Sequence, residues 1–259
     1  VPEGDTVFFT CHRLNEALAG KELVRGELRH PRLSTMDLAG RVVSEVRPVG
    51  KHLLIRFEHG RTLHHHLRMD GSWHLYRPGG RWRRPGHQAR AVLATAEQVA
   101  VGFSLHDMRW IPTDRESALV GHLGPDLLAP DWGPEHVAEA LRRLTADPDR
   151  EIGEALLDQR IMAGVGNLYK TEVCFLLGRT PWTPVAQIDA EKAVRLSHEL
   201  LLRNAWRPEQ ATTKSLRHGD EHWVFHRRTC LRCGTTVRRS RQGKPPEDRI
   251  TYHCPRCQT

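Results

Sequence analysis

Four cysteines grouped as Cys230-x2-Cys233 and, 20 residues later, Cys254-x2-Cys257 constrain the fold of this chain more than any other feature. Two closely spaced thiolates can each span one edge of a tetrahedron, so the two pairs call for one four-coordinate metal ion, with the residues between them folding back as a hairpin. Four thiolates leave no open coordination position, so the expected ion is a single structural Zn2+. Redox-active pairs or disulfides are the competing reading, which the paired spacing disfavours. The start of the chain has no basic-then-apolar signal segment, which also favours metal binding over a secreted disulfide framework. The other two cysteines, Cys11 and Cys174, fall on apolar faces of predicted helices and are expected to be buried thiols.

Charge points to the partner. The chain carries a formal net charge of +8 with a pI near 9.5. From Thr212 to Thr259 there are 11 Lys/Arg against 4 Asp/Glu, a surplus of seven that accounts for nearly all of the total. A basic C-terminal segment on a nearly neutral body is expected of a phosphate-binding device. Arg238, Arg239, Arg241 and Arg249 lie between the cysteine pairs, where a metal-stapled hairpin would present them to a nucleic-acid backbone. Zinc ribbons that bind protein look similar, so the finger alone does not specify DNA. No apolar run approaches the roughly 20 residues needed to span a bilayer. A soluble, intracellular monomer with no membrane partner is expected, cytoplasmic and associated with the nucleoid.

The 259 residues suffice for more than one core. Val7, Cys11, Leu14 and Leu18 repeat at helical spacing and Gly20 supplies a stop, predicting a helix over residues 5–19. From Leu23 to about Pro112 the pattern changes to short strands. Residues 51–57 alternate, with Leu53, Ile55 and Phe57 on one face; a turn at 58–61 leads to a strand at 63–67, and more strands are expected near 72–76, 90–95 and 99–104. Helical patterns follow at 134–145, 151–161, 167–177 and 189–204. The Gly/Pro-bearing stretch between Gly121 and Pro134 marks the boundary. The expected fold is α+β and multidomain: a β-sandwich with a flanking helix (1–122), a helical domain (123–222) and a zinc finger (223–259).

Two further segments carry chemistry. Ala163-Gly164-Val165-Gly166-Asn167-Leu168-Tyr169-Lys170 separates two predicted helices. Its glycines permit close backbone approach, Asn167 suits an N-cap, and the new helix start offers N–H groups to a phosphate. An ordinary packing corner between helices would look the same. At the other end stand Val1-Pro2-Glu3-Gly4-Asp5. An exposed N-terminal proline is a secondary amine able to attack a sugar carbon without a cofactor, and Glu3 beside it could move protons.

In this order, Pro2-Glu3-Gly4, the stretch Ile161 to Tyr169, and the four-cysteine finger with Arg249-Ile250-Thr251-Tyr252-His253-Cys254 resemble the formamidopyrimidine-DNA glycosylase/endonuclease VIII family. The resemblance spans essentially the whole chain, and its middle segment is similar to the family's helix–two-turn–helix motif. Val224-Phe225-His226-Arg227 and Gly124-Pro125-Asp126-Leu127-Leu128 favour the endonuclease VIII branch.

The resemblance implies a bifunctional DNA glycosylase and abasic-site lyase acting on double-stranded DNA with damaged bases or abasic sites. It makes Pro2 the nucleophile, Glu3 the general acid/base and Lys51, in Val49-Gly50-Lys51-His52, a catalytic-site lysine contacting phosphate near the lesion. Asn167 and Arg249 correspond to phosphate-binding residues, and Lys170 joins the expected DNA contacts. Met69 would fill the hole left by an everted base, Arg109 would meet the orphaned partner base, and Ile111 stands where the family often has an aromatic wedge. Taken alone, Lys51 reads as a solvated turn lysine, and Met69 and Ile111 as core residues.

The chain departs from the family in two places. Asp5 and Thr6 follow Gly4 where the family has Pro-Glu or similar, which removes a second glutamate. Val1, if retained, would make the Pro2 nitrogen a tertiary amide with no basic lone pair; it is expected to be an alternative start codon, read as methionine and then removed. Oxidised pyrimidines are the favoured lesions, although Met69 with Arg109 resembles the purine-directed branch as much. Two alternatives remain: a non-catalytic binder of damaged DNA with this fold, and a zinc-ribbon nucleic-acid-binding factor. On a strand, at most His64 and His66 of His64-His65-His66 share a face, so a packed strand is favoured there over a metal site.

Overall fold

The computed structural model describes residues 2–215 and 217–259; Val1, and with it the expected processing of the N-terminus, lies outside the described residues. The chain divides into two compact units, one ending at His122 and the other running from Leu123 to Thr259.

In the first unit, α1 (Gly4–Leu18) buries Val7, Cys11, Leu14 and Leu18 on one stripe. It ends where Ala19 turns extended and Gly20 takes a positive φ of 73°. Two antiparallel sheets follow. One has the order β1 (Lys21–Glu22), β3 (Val42–Val49), β4 (His52–Phe57), β5 (Arg61–His66), β9 (Asp107–Pro112). The other runs β2 (Arg25–Leu28), β7 (Ala89–Ala94), β8 (Val99–Phe103), β6 (Ser72–Tyr76). Leu53, Ile55, Phe57 and Leu63 of the first sheet, Leu28, Ala91 and Leu93 of the second, and the stripe of α1 form one core. Each large apolar side chain buried there contributes about 1.5–3 kcal/mol. A short helix, α2 (Ser117–Val120), closes the unit. It is tied to the sheet by Glu116, whose carboxylate accepts hydrogen bonds from Arg56 and from the Thr62 hydroxyl.

The second unit contains α3 (Pro134–Leu144), α4 (Ile152–Leu157), α5 (Asn167–Leu177), α6 (Ala190–Asn204) and a two-stranded ribbon of β10 (Arg238–Gln242) and β11 (Arg249–His253). Helix α4 is shorter than the expected 151–161. Asp158 stops it by accepting a hydrogen bond from the backbone N–H of Arg160, two residues on, in a turn that competes with helix. Helix α5 is the pivot, packing on α4, α6 and β11. The finger does not stand apart from residue 223 onward as a separate body. Phe175 of α5 shares a cluster with Val224, Cys230 and Cys254. Among the described residues, no helix is long and apolar enough to cross a membrane.

Candidate functional site

In the first unit, Pro2 leads directly into α1. Glu3 occupies the N-cap position in extended conformation and is 1% exposed, whereas Pro2 is half-buried. Such a placement sets the Pro2 ring nitrogen and a carboxylate at the positive end of a 15-residue helix. Lys51 sits in the two-residue turn of the β3–β4 hairpin, where Val49 pairs with His52 and Gly50 adopts φ 56°. Glycine at the first position of so tight a turn matches the twist of the flanking strands.

Strand register assembles the other candidates of this unit on one face. His52 pairs with His66, which pairs with Asp107; Leu54 pairs with His64, which pairs with Arg109; Arg56 pairs with Thr62, which pairs with Ile111. Met108 and Trp110 point the opposite way, into the core. Arg109 is exposed and Ile111 half-buried, and Ile111 belongs to no core cluster. Met69 follows β5 and is 71% exposed, so it is no core residue either. Its presentation depends on Arg68, a non-glycine residue at φ 55° whose backbone N–H donates to His66 Nδ1 and whose guanidinium pairs with Asp107.

The histidine run divides as strand geometry requires. His65 points inward and its Nε2 accepts from Trp73 Nε1 at 2.7 Å. His64 and His66 lie on the outer face, where His52 Nδ1 and His64 Nε2 are hydrogen-bonded at 2.8 Å. Burial first, then neighbouring imidazoles and then cations push His52, His64 and His66 down to about 4. Lys51 and Arg68 act on His52 and His66, and Arg109 acts on His64. Neutral imidazoles therefore line a surface whose fixed charge is cationic, as an anionic backbone requires.

In the second unit, Asn167 is the first residue of α5 rather than its cap. Gly166 takes the cap position, extended at φ −121°. The Asn167 amide is used elsewhere, donating from Nδ2 to the Ile250 carbonyl at 2.8 Å. That bond brings the helix start beside exposed Arg249, the two expected phosphate contacts of this unit. Arg249 donates to the carbonyls of Glu247 and Asp248 at the ribbon's turn. Lys170 requires a correction: it is fully buried, its Nζ bonded to Thr251 Oγ1 beneath β11, so it supports the ribbon instead of facing solvent.

Sequence reading missed the residues that brace this turn. Gln159 reaches around it, donating to Leu157 O and Val165 O and accepting from the Gly164 N–H. The Gly124–Leu128 segment lies against it through Gly124 N–H to Gln159 O and Leu127 N–H to Ala163 O. Glu172, fully buried, accepts from the N–H groups of Trp223, Val224 and Phe225 at 2.8–2.9 Å and from the Thr212 hydroxyl, holding the chain just ahead of the finger. Neither residue lies in a recognisable motif; the signal for Glu172 was that it and Lys170 are the two charged residues of α5.

Cys230, Cys233, Cys254 and Cys257 converge, all four sulfurs lying within 4.8 Å of one another. Two separations are 4.0 Å (Cys230 to Cys257) and 3.5 Å (Cys233 to Cys254). A tetrahedral ion with metal–sulfur bonds of about 2.3 Å needs edges of about 3.8 Å, so the cluster fits a metal ion. Among the described residues it is the one such group.

The sequence matches the formamidopyrimidine-DNA glycosylase N-terminal domain over residues 1–113 and the H2TH domain of the same family over residues 123–216. It is 53% identical over 264 residues to a probable endonuclease 8 2 of Streptomyces coelicolor, covering 100% of this chain and 94% of that protein. It is 44% identical over 262 residues to the DNA-(apurinic or apyrimidinic site) lyase Nei2 of Mycolicibacterium smegmatis, covering 100% and 99%. Among solved structures, Lactococcus lactis Fpg (MutM) in complex with DNA containing N7-benzyl-Fapy-dG superposes with a TM-score of 0.79, at 21% identity over 99% of each chain. The two matched domains, the four-thiol cluster and relatives at this identity over the full length have one reading: the chain belongs to the formamidopyrimidine-DNA glycosylase/endonuclease VIII family of DNA glycosylases and abasic-site lyases.

Proposed function

We propose that the protein excises oxidised bases, with pyrimidines preferred, from double-stranded DNA and then cleaves the strand at the resulting abasic site. The observation that carries the reading is the Pro2-Glu3 pair at the head of α1, with Glu3 buried at the cap. Its full-length relatives include one named a DNA-(apurinic or apyrimidinic site) lyase. The Pro2 amine, once it is the chain terminus, attacks C1′ of the damaged nucleoside. The glycosidic electron pair leaves with the base, and loss of a proton from nitrogen together with ring opening gives a Schiff base. Only the deprotonated amine carries the lone pair that this attack requires.

Glu3 protonates the sugar ring oxygen and then assists β- and δ-elimination, breaking both C–O bonds to phosphate and leaving a one-nucleoside gap. Lys51 on its hairpin, with Asn167 and Arg249, holds the phosphates. Met69, Arg109 and Ile111 occupy the space that the everted base vacates. One Zn2+ on the four cysteines would fix the ribbon that carries Arg249, and takes no part in the reaction.

The test is excision from end-labelled duplexes carrying one thymine glycol, dihydrouracil or 8-oxoguanine. Cleavage of the pyrimidine lesions with phosphate on both sides of the gap is expected. Faster cutting of 8-oxoguanine would reverse the lesion preference, and termination after β-elimination would remove the second elimination step.

A further inference from the structure

Helix α6 and the chain leading into the finger leave a cleft that the reaction does not use. It measures about 510 Å3 and is floored by Leu176, Leu196, Leu200, Trp223 and Leu231. A second hollow of about 360 Å3 shares Arg203, Thr213, Lys214 and Ser215 with it and adds Trp206, which is 57% exposed, and Arg207. A hollow of this size and lining accepts a few bulky apolar side chains.

The rim charges do not balance. Both acids of the cleft are engaged: Glu199 with Arg195 at 3.2 Å, and Asp220 with Arg227 at 3.8 Å. Arg203 and Lys214 make no ion pair among the described residues, and Arg207 bonds only a neutral partner, the Asn204 carbonyl oxygen. Three cations without counter-charges around an aliphatic floor complement a ligand that is acidic outside and apolar within. Nucleic acid supplies the charge but does not suit the floor. The leucines offer no flat face, the Trp223 ring is already stacked on Phe175 with the Arg232 guanidinium 5.2 Å from its centroid, and the exposed Trp206 ring belongs to the second hollow and not to this floor.

We infer that this cleft docks a short acidic peptide segment of a partner protein, seating two bulky apolar side chains on the leucine floor and its carboxylates on Arg203, Arg207 and Lys214. Such a site would recruit the protein to its partner without occupying the residues that carry the chemistry.

The probe is a panel of fluorescein-labelled octapeptides, each with four aspartates and two residues drawn from Leu, Ile, Phe and Trp. Binding to the full-length protein is followed by anisotropy. At least one member is expected to bind with Kd in the micromolar range, about −8 kcal/mol or weaker. Replacing its aspartates by lysine, or its apolar pair by serine, abolishes binding. Arg203→Glu weakens it at least about tenfold and Trp206→Ser weakens it measurably, while cleavage of abasic-site DNA by both variants stays at the wild-type rate. The inference is overturned if no acidic–apolar peptide binds below about 1 mM, if Arg203→Glu leaves binding unchanged, or if a single-stranded oligothymidine competes for the site and loses affinity with the same substitution.

Discussion

Glu172→Ala should be the most destabilising single change in the second unit outside the cysteines, and its cost can be worked from the geometry. Oε1 accepts the N–H groups of Val224 and Phe225, each at 2.9 Å; Oε2 accepts Trp223 N–H at 2.8 Å and the Thr212 hydroxyl. Thr212 keeps a second acceptor, the Glu221 carbonyl at 3.2 Å, so its loss is small. The three backbone donors have no other bond among the described residues. Each buried donor left unpaired costs about 1–3 kcal/mol, and some relaxation is expected, giving about 4 kcal/mol for alanine. Glutamine keeps one oxygen for Val224 and Phe225 but turns an amide donor toward Trp223 N–H, so it should cost about 2 kcal/mol. For a unit of this size, a melting shift of about 3 °C per kcal/mol puts the two variants about 12 °C and 6 °C below wild type. Tryptophan fluorescence is a suitable readout, because Trp223 lies at the perturbed site. An alanine variant within about 1 kcal/mol of wild type, or a glutamine variant as unstable as alanine, would refute the accounting.

Three other outcomes are expected. His52, His64 and His66 sit at about 4, and His65 at about 3, instead of 6.5; the unfolded chain therefore binds more protons between those values, and stability present above pH 6.5 is lost as pH falls toward 4. Thermal melts across that window should show the decline, flattened by His64→Gln, and an unchanged slope in the variant would contradict it. Gly124→Ala would place its Cβ 2.4 Å from the Ile161 carbonyl oxygen and 2.6 Å from that of Arg160, both rigid backbone, and should cost about 2–3 kcal/mol in chemical denaturation while weakening DNA binding through the displaced turn. Chelation should release about one Zn2+ per chain and lower affinity for abasic-site duplex, with restoration on adding zinc back; full affinity of the metal-free protein would remove the finger from the interface.

Features fixed by covalent spacing were legible in the sequence: the cysteine pairs, the proline at position 2, and the apolar stripe of α1. Strand alternation likewise predicted that only His64 and His66 share a face; that His65 is the one turned inward came from the structure. What escaped was polar chemistry inside the fold. Asn167 looked like a cap because caps favour asparagine, but the Ile250 carbonyl claims its amide, a contact 83 residues away in sequence. Lys170 joined the expected DNA contacts of its motif, yet Thr251 holds it in the interior, where lysines are rarely found. The premature end of α4 was written in Asp158, but apolar periodicity does not register a side chain that binds its own backbone.

The central claim is that the Pro2 nitrogen forms a covalent bond to C1′ of the sugar, and sodium borohydride reduction during turnover tests it most directly. Protein purified with Pro2 at its N-terminus and incubated with abasic-site duplex should give a stable protein–DNA adduct that peptide mass spectrometry places on Pro2. A protein that keeps Val1, or carries glycine ahead of Pro2, should give none. An adduct on a lysine, or undiminished trapping when the proline nitrogen is acylated, would contradict the account.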